Sequence, residues 1–104
     1  MKIYHFKTLA STQDKALEFS KKGLYDLVVV ADKQNKGKGR FSRKWASGVG
    51  GLYATMVLKE KNLEKARYLT LISSIAVVKS IRKMSKLKSQ VKWPNDVLIN
   101  GKKV

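Results

Sequence analysis

Hydrophobic and polar positions alternate at the start of the chain and then change period. Lys2 to Phe6 alternates enough to predict a short strand. Ser11 predicts a helix start, because its hydroxyl can cap the first turn and Asp14, three residues later, completes a box-like arrangement. Gly23 is the expected C-terminal stop of that helix. The continuous β-branched run from Leu27 to Ala31 predicts a strand that is buried on both faces.

Further along, the pattern predicts another strand, a long helix and two more strands. Leu52 to Leu58 alternates and indicates a strand. Asn62 can cap a helix running from about Leu63 to Met84. The middle of this helix is apolar over much of its circumference, so we expect it to be buried there. Gln90 to Trp93 and Val97 to Ile99 predict the two final strands.

Two connecting segments stand out. Asp32 to Gly51 gives about twenty residues of predicted loop, a length that compact domains rarely keep unless the loop is functional or mobile. Asn100-Gly101 between apolar residues predicts a tight hairpin, because both central positions of such a turn need a positive φ. Since only Lys102, Lys103 and Val104 follow, we expect the sequence to stop inside a hairpin, as the N-terminal part of a longer domain.

Composition excludes several kinds of chemistry. The 104 residues suit one small domain, and a hydrophobic content of 43% argues against intrinsic disorder. There is no cysteine and His5 is the single histidine, which excludes disulfides, thiolate nucleophiles and multi-histidine metal sites. No apolar run approaches the roughly 18 residues of a membrane-spanning helix. We therefore expect a soluble, cytoplasmic protein with no membrane partner.

Charge points to an anionic partner. The formal net charge is +16, and residues 32–45 hold 6 basic and 1 acidic residue. Residues 69–104 hold 8 basic and 1 acidic residue, which we interpret as a mainly solvated face near the end of the long helix. Net charge does not by itself distinguish a nucleotide from a nucleic acid.

The segment from Gln34 to Trp45 has the residue types of an anion site. The backbone amides at Gly37 and Gly39 can approach a ligand closely. Its arginines offer planar forks for phosphate or carboxylate, and its tryptophan offers a stacking face; these residues are Arg40, Arg43 and Trp45. A mobile basic surface loop and a loop that binds single-stranded nucleic acid remain alternative interpretations.

Four segments, in order, resemble the catalytic domain of biotin protein ligases. They are Ser11-Thr12-Gln13, Gly37 to Trp45, Gly51-Leu52-Tyr53 and Lys92-Trp93-Pro94-Asn95-Asp96. The resemblance implies an α/β fold, a mixed sheet flanked by helices, as in class II aminoacyl-tRNA synthetases. It also implies the activity of a biotin–[acetyl-CoA-carboxylase] ligase. Biotin and ATP would give biotinyl-5′-AMP, with Mg²⁺ implied, and the biotinyl group would pass to a lysine of biotin carboxyl carrier protein.

Residue roles are carried over by position in these segments. The residues implied to bind biotin are Ser11, Thr12, Gln13, Gln34, Gly37, Gly39, Arg40 and Lys103. Those implied to bind ATP are Arg40, Arg43, Trp45 and Asn95. The implied catalytic residues are Arg40, Lys103 and Asp96, and Asp96 could orient the attacking lysine or bind Mg²⁺.

The sequence departs from the family pattern at three places in these segments. Lys38 stands where arginine is usual, which keeps the charge but loses the fork. Ser42 stands where glycine is usual, so a positive φ there would cost roughly 1 kcal/mol or more. Gln13 replaces the commoner asparagine and adds one methylene.

The resemblance covers nearly the whole chain and begins directly at the catalytic domain. We therefore expect no N-terminal helix-turn-helix domain and no specific DNA binding. The 104 residues alone are expected to be inactive, and a homodimer is left open. Two alternatives stay open, a lipoate-ligase-like acyl adenylation and a nonspecific basic nucleic-acid-binding module.

Overall fold

A computed structural model describes all 104 residues. The chain forms two compact units, Met1–Lys59 and Glu60–Val104. The fold is α/β, with a mixed sheet in the first unit, an antiparallel sheet in the second and one α-helix in each. The expected fold class is therefore confirmed. None of the helices is long and apolar enough to cross a membrane.

The first unit is built on a three-stranded sheet. Its strands are β1 (Lys2–Leu9), β2 (Leu27–Gln34) and β3 (Tyr53–Val57), in the order β1-β2-β3. β1 runs parallel to β2, and β3 runs antiparallel to it. Helix α1 (Thr12–Lys21) packs against β2 and β3. Because β1 and β2 are parallel, the residues that follow the ends of both strands meet at the same edge of the sheet.

The ends of α1 follow the predicted signals. Ser11 Oγ accepts hydrogen bonds from the amides of Gln13 at 3.1 Å and Asp14 at 3.4 Å, so Ser11 is the N-cap. Asp14 does not complete a capping box, because its carboxylate pairs with Lys38 instead. The helix ends before Gly23, whose φ of +79° is readily available to glycine.

The core of the first unit lies between α1 and one face of the sheet. Ala16, Leu27, Val29 and Val57 are buried there, with Phe19 packed against them. β2 was expected to be buried on both faces, and this is wrong for the second face, where Val28 and Val30 are only half-buried. The physical reason is that α1 is the single helix of this unit and covers one side of the sheet.

The predicted loop after β2 is shorter and more ordered than expected. β2 continues to Gln34, since Lys33 pairs with Thr8 and Gln34 pairs with Leu9. Beyond it, residues 37–45 fold into a small hairpin, which we call the basic hairpin. Lys38 and Lys44 form an isolated β-bridge across it, and a 3₁₀ turn over Arg40–Ser42 makes its tip. Backbone hydrogen bonds determine this hairpin, and the hydropathy pattern carries no signal for them.

The second unit contains a long helix and an antiparallel sheet. Helix α2 (Leu63–Ser85) begins at Asn62, whose Oδ1 accepts from the amides of Glu64 and Lys65. The strands are β4 (Ser89–Lys92), β5 (Asp96–Ile99) and β6 (Lys102–Lys103). They lie in the order β4-β5-β6, and α2 packs against β4 and β5. The predicted turn is confirmed by positive φ values of 51° at Asn100 and 79° at Gly101.

Burial of α2 differs from the prediction. Ser74 and Val78 are buried, but Ile72 is 56% exposed and Val77 is 47% exposed. The expectation of a buried middle is wrong because the short β4–β5 sheet covers one side of the helix only. Arg82 fixes the end of α2 to this sheet, since its Nε and Nη2 donate to the Ser89 carbonyl at 3.1 and 2.5 Å.

Candidate functional site

A buried network of polar groups joins the start of α1 to the end of β2. The Thr12 amide donates to Gln34 Oε1 at 2.7 Å, and Gln34 Nε2 donates to Ser47 Oγ at 2.9 Å. Ser47 Oγ in turn donates to the Trp45 carbonyl at 3.1 Å. Ser11, Thr12 and Ser47 are all nearly inaccessible, and no buried side-chain polar atom lacks a partner. A fully satisfied network of this kind fixes side-chain positions.

Two residues that contact the predicted site residues, Ser47 and Thr55, could not be found from the sequence. Ser47 holds the Gln34 amide, and Thr55 Oγ1 lies 2.9 Å from Thr12 Oγ1 across the gap between β3 and α1. Isolated Ser and Thr residues carry no local signal for a long-range hydrogen bond. The alternation of β3 does place Thr55 and Val57 on the same face of the sheet, and Val57 is in the core.

Gly37 allows the base of the basic hairpin to pack against this network. A Cβ atom at Gly37 would lie 2.5 Å from Ser47 Oγ and 3.0 Å from Gln34 Nε2, and closer still to the Trp45 carbonyl. The Trp45 amide donates to the Gly37 carbonyl at 2.9 Å, which closes the hairpin at its base. No side chain fits at this position without moving the backbone.

Gly39 lies in a less restrictive place. Its φ is −96°, and its amide donates to the Arg43 carbonyl at 2.7 Å within the hairpin. A Cβ there would make a 3.4 Å contact with Arg43 Cβ. In this conformation, the Gly39 amide therefore supports the hairpin.

The tip of the hairpin has an unusual backbone. Phe41 and Ser42 are consecutive residues with φ of 58° and 62°, in the left-handed region that favours glycine. Ser42 therefore has the positive φ that would be costly for a residue other than glycine, and serine is strained there. The Phe41 side chain is 81% exposed, with the Arg40 guanidinium 5.0 Å from its ring centroid.

An open pocket of about 610 Å³ lies along the inner side of the hairpin. It is lined by the residues from Gln34 to Lys38 and from Ser42 to Ser47, so that Gly39, Arg40 and Phe41 lie outside its lining. Four of the lining residues are cationic, namely Lys36, Lys38, Arg43 and Lys44. No acidic side chain lines it. Because Trp45 lines the pocket together with these cations, the pocket suits an anionic ligand with a flat ring.

Residues of the resemblance are divided between the two units. In the first unit the Thr12 amide donates to Gln34, the neighbouring Ser11 caps α1, and Gln13 Nε2 donates to the Lys38 carbonyl of the hairpin. The remaining residues of this unit lie in the basic hairpin; they are Gly37, Gly39, Arg40, Arg43 and Trp45.

The second unit holds Asn95, Asp96 and Lys103. Lys103 Nζ lies 3.4 Å from Asp96 Oδ1, across the β5–β6 hairpin. Asp96 is paired in register with Lys92, and Asn95 lies in the turn that precedes β5. The peptide bond between Trp93 and Pro94 in this turn is cis. The structure thus brings a cation and a carboxylate together at the start of β5.

The chain contains no group of three or more histidine or acidic side chains arranged to hold a metal ion. Asp96 is half-buried, and the cation that faces it is Lys103. One carboxylate paired with a lysine does not form a Mg²⁺ site by itself, although Mg²⁺ is often held by one or two carboxylates together with substrate phosphates.

Comparison with known proteins assigns the family. The model of the biotin/lipoate A/B protein ligase family matches residues 6–104. The chain therefore belongs to the biotin/lipoate A/B protein ligase family. Its relatives within that family include the bifunctional ligase/repressor BirA of Bacillus subtilis, which is 43% identical over 97% of this chain and 32% of its own length. The biotin–[acetyl-CoA-carboxylase] ligase of Paracoccus denitrificans is 31% identical over 90% of this chain and 40% of its own length.

Solved structures agree with this assignment. The biotin protein ligase of Aquifex aeolicus, in complex with biotin and ATP, is 35% identical, with a TM-score of 0.85 over 99% of this chain and 44% of that one. The Leishmania major enzyme in complex with biotinyl-5-AMP is 26% identical, with a TM-score of 0.86 over 99% of this chain and 49% of that one. The chain thus spans less than half the length of these relatives.

Proposed function

We propose that this chain carries the biotin- and ATP-binding residues of a biotin protein ligase. The activity would be ATP-dependent formation of biotinyl-5′-AMP, followed by transfer to a lysine of biotin carboxyl carrier protein. The observation that carries the proposal is the cation-lined hairpin seated on the Thr12–Gln34–Ser47 network in a member of this family. A neutral polar network beside a cationic pocket suits a ligand with a polar uncharged end and an anionic end.

The biotin-binding residues would be those around the network. Ser11, Thr12, Gln13 and Gln34 would face the ureido ring of biotin, with their positions fixed by the N-cap and the Gln34–Ser47 contact. Gly37 would let the hairpin backbone approach the ligand closely, in addition to its close packing on Ser47 and Gln34, which already leaves no room for a side chain. A preformed wall of this kind lowers the entropic cost of binding.

The phosphate-binding residues would be those of the basic hairpin. In the first step a biotin carboxylate oxygen attacks the α-phosphorus of ATP, and pyrophosphate leaves. Fixed cations aimed at the phosphate oxygens stabilise the charge that develops there. Arg43, which lines the pocket, and Arg40, at the tip of the hairpin, would supply those cations, and Trp45 would pack near the adenine. Gly39 would serve by holding the hairpin turn.

The second step, transfer to the acceptor lysine, depends on the residues of the second unit. The acceptor lysine amine attacks the carbonyl carbon of the mixed anhydride, AMP leaves, and an amide forms with loss of a proton. Lys103 would contact the biotin carboxylate and the phosphate, and would exchange its present Asp96 partner for the ligand. Asp96 and Asn95 would then face the reacting centre, where the Asp96 carboxylate could orient the incoming amine.

Mg²⁺ is implied by the resemblance, and would shield the phosphates of ATP when bound. Asp96 is the candidate ligand on this chain. Because it pairs with Lys103 and belongs to no cluster of possible metal ligands, it does not form a metal site by itself. No step is therefore assigned to the metal. The cytoplasmic location and the inactivity of the 104 residues alone stay predictions, and a homodimer stays open.

Biotin-dependent exchange of pyrophosphate into ATP tests this proposal in the protein expressed from its full reading frame. Exchange should require biotin, and lipoate in its place should give none. Arg40→Gln should lower exchange by on the order of tenfold or more, because one cation facing the phosphates is lost. Arg67→Gln, on the exposed surface of α2, is the matched control and should leave the rate unchanged. Exchange that needs lipoate instead of biotin would favour the lipoate-ligase alternative.

A further inference from the structure

The basic hairpin is fastened to α1 through Lys38. Lys38 Nζ lies 2.6 Å from Asp14 Oδ1, and the Lys38 carbonyl accepts a hydrogen bond from Gln13 Nε2 at 3.4 Å. Asp14 is not the N-cap of α1, since Ser11 performs that function. Neither Asp14 nor Lys38 is among the residues to which the resemblance gives a role in binding or catalysis. Their contact therefore calls for a separate explanation.

Charge gives a reason for this contact. Lys36 and the hairpin residues Lys38, Arg40, Arg43 and Lys44 are all cationic, and no residue of the hairpin is acidic. Like charges this close repel one another and favour an open, spread conformation. Asp14 supplies a negative charge to the base of the hairpin from a neighbouring element, α1. The ion pair thus opposes the hairpin's own repulsion.

Apolar packing does not hold the hairpin in place of the Asp14–Lys38 ion pair. From Lys38 to Ala46 every residue is exposed except Gly39, which is half-buried, so apolar packing contributes little to holding the hairpin in place. The Asp14 and Lys38 side chains are each 49% exposed, which makes their pairing weak and readily broken. A weak contact on an exposed segment suits a hairpin that must open to admit a ligand and release a product.

We propose that Asp14 is a positioning residue that holds the basic hairpin over its pocket through Lys38. Breaking the pair shifts the hairpin towards open conformations and shortens the time for which an anionic ligand stays enclosed. The part that concerns the acyl adenylate rests on the proposed function. The part that concerns the hairpin in the ligand-free protein does not.

Amide hydrogen exchange over residues 37–45 tests the ligand-free part, in the full-length protein. Asp14→Asn removes the carboxylate charge at nearly constant shape, and Lys38→Met removes the ammonium while leaving α1 untouched. Each should raise hairpin exchange by on the order of two- to fivefold, the range expected when an exposed ion pair is lost. The double variant should exchange no faster than either single variant, because both remove the same contact.

Glu18→Gln is the matched control. It lies on the same helix, removes the same charge, and breaks exposed pairs with Lys15 at 3.4 Å and Lys22 at 3.9 Å. Glu18→Gln should leave the amide exchange of the hairpin unchanged. In all variants the midpoint of thermal unfolding should shift only slightly. The charge-reversed pair Asp14→Lys with Lys38→Asp should restore slow exchange. Additive effects of the single variants, or an equal effect of Glu18→Gln, would overturn the proposal.

Release of biotinyl-5′-AMP supplies the second measurement. Asp14→Asn should release the adenylate about two- to fivefold faster than the parent, with its rate of formation changed less. If the adenylate forms and leaves the variant and the parent at the same rate, Asp14 does not position the hairpin. If no variant and no parent forms the adenylate, the proposed function fails, and the ligand-free exchange still decides the role of Asp14.

Discussion

Gly37 lies where the backbone of the basic hairpin packs directly on the polar network. Gly37→Ala would put a Cβ within 2.5 Å of Ser47 Oγ and closer still to the Trp45 carbonyl. Since the Trp45 carbonyl cannot move without the backbone of the hairpin, we expect a loss of about 1–3 kcal/mol in the free energy of unfolding. Urea denaturation measures this change. Gly48→Ala is the control, because nothing lies within 4 Å of a Cβ there. Equal stabilities of the two variants would contradict the close approach.

At Ser42 a substitution should raise the free energy of unfolding instead of lowering it. Its φ of 62° costs a residue with a Cβ roughly 1 kcal/mol, and glycine avoids that cost. Ser42→Gly should therefore raise the free energy of unfolding by about 0.5 kcal/mol, after the larger entropy loss of glycine is subtracted. Ser80→Gly in the exposed middle of α2 should instead lower it by about 0.5–1 kcal/mol. A loss of stability at both positions would show that Ser42 is not strained.

At the scale of elements, the basic hairpin should respond to ligand while β2 does not. Residues 37–45 are held by few, mostly exposed hydrogen bonds, whereas Val29 in β2 is fully buried. We expect amide exchange of residues 37–45 to slow when biotin and ATP are added together, because the ligand neutralises the repelling cations. Exchange in β2 should stay the same. Slowing in β2 alone, or in neither segment, would argue against a hairpin that closes on the ligand.

Fewer residues are expected to be mobile than the sequence alone suggests. The predicted loop, functional or mobile, begins at Asp32, but Lys33 and Gln34 are part of β2 and paired with β1. The strand end could not be read from hydropathy, because Asp32, Lys33 and Gln34 are polar. Pairing with β1 continues beyond the apolar run, since backbone hydrogen bonds do not depend on the side chain.

For the whole molecule, the net charge of +16 predicts nonspecific attraction to any polyanion. We expect the protein to bind a short DNA duplex of arbitrary sequence weakly, with an affinity that falls steeply between about 50 and 200 mM salt. Biotin-dependent pyrophosphate exchange should persist across that range. Fluorescence anisotropy at several salt concentrations measures the first and the exchange assay the second. Tight binding of one DNA sequence at the higher salt would instead support a DNA-binding function.

The sequence by itself determined the order and type of the main elements and the family. Caps at Ser11 and Asn62 and the Asn100-Gly101 turn are local signals, and local backbone chemistry is sufficient to place them. Motifs in a fixed order identified the family because each is a contiguous segment, which the family match over residues 6–104 bears out.

Tertiary structure alone decided which side chains meet. The contacts of Gln34 with Thr12 and Ser47, and of Lys38 with Asp14, join residues that are 13 to 24 positions apart. No periodicity encodes such distances, because they depend on how β1, α1 and β2 are folded back on one another. Burial of α2 was decided in the same way, since an apolar helix face is covered only where a neighbouring element reaches it.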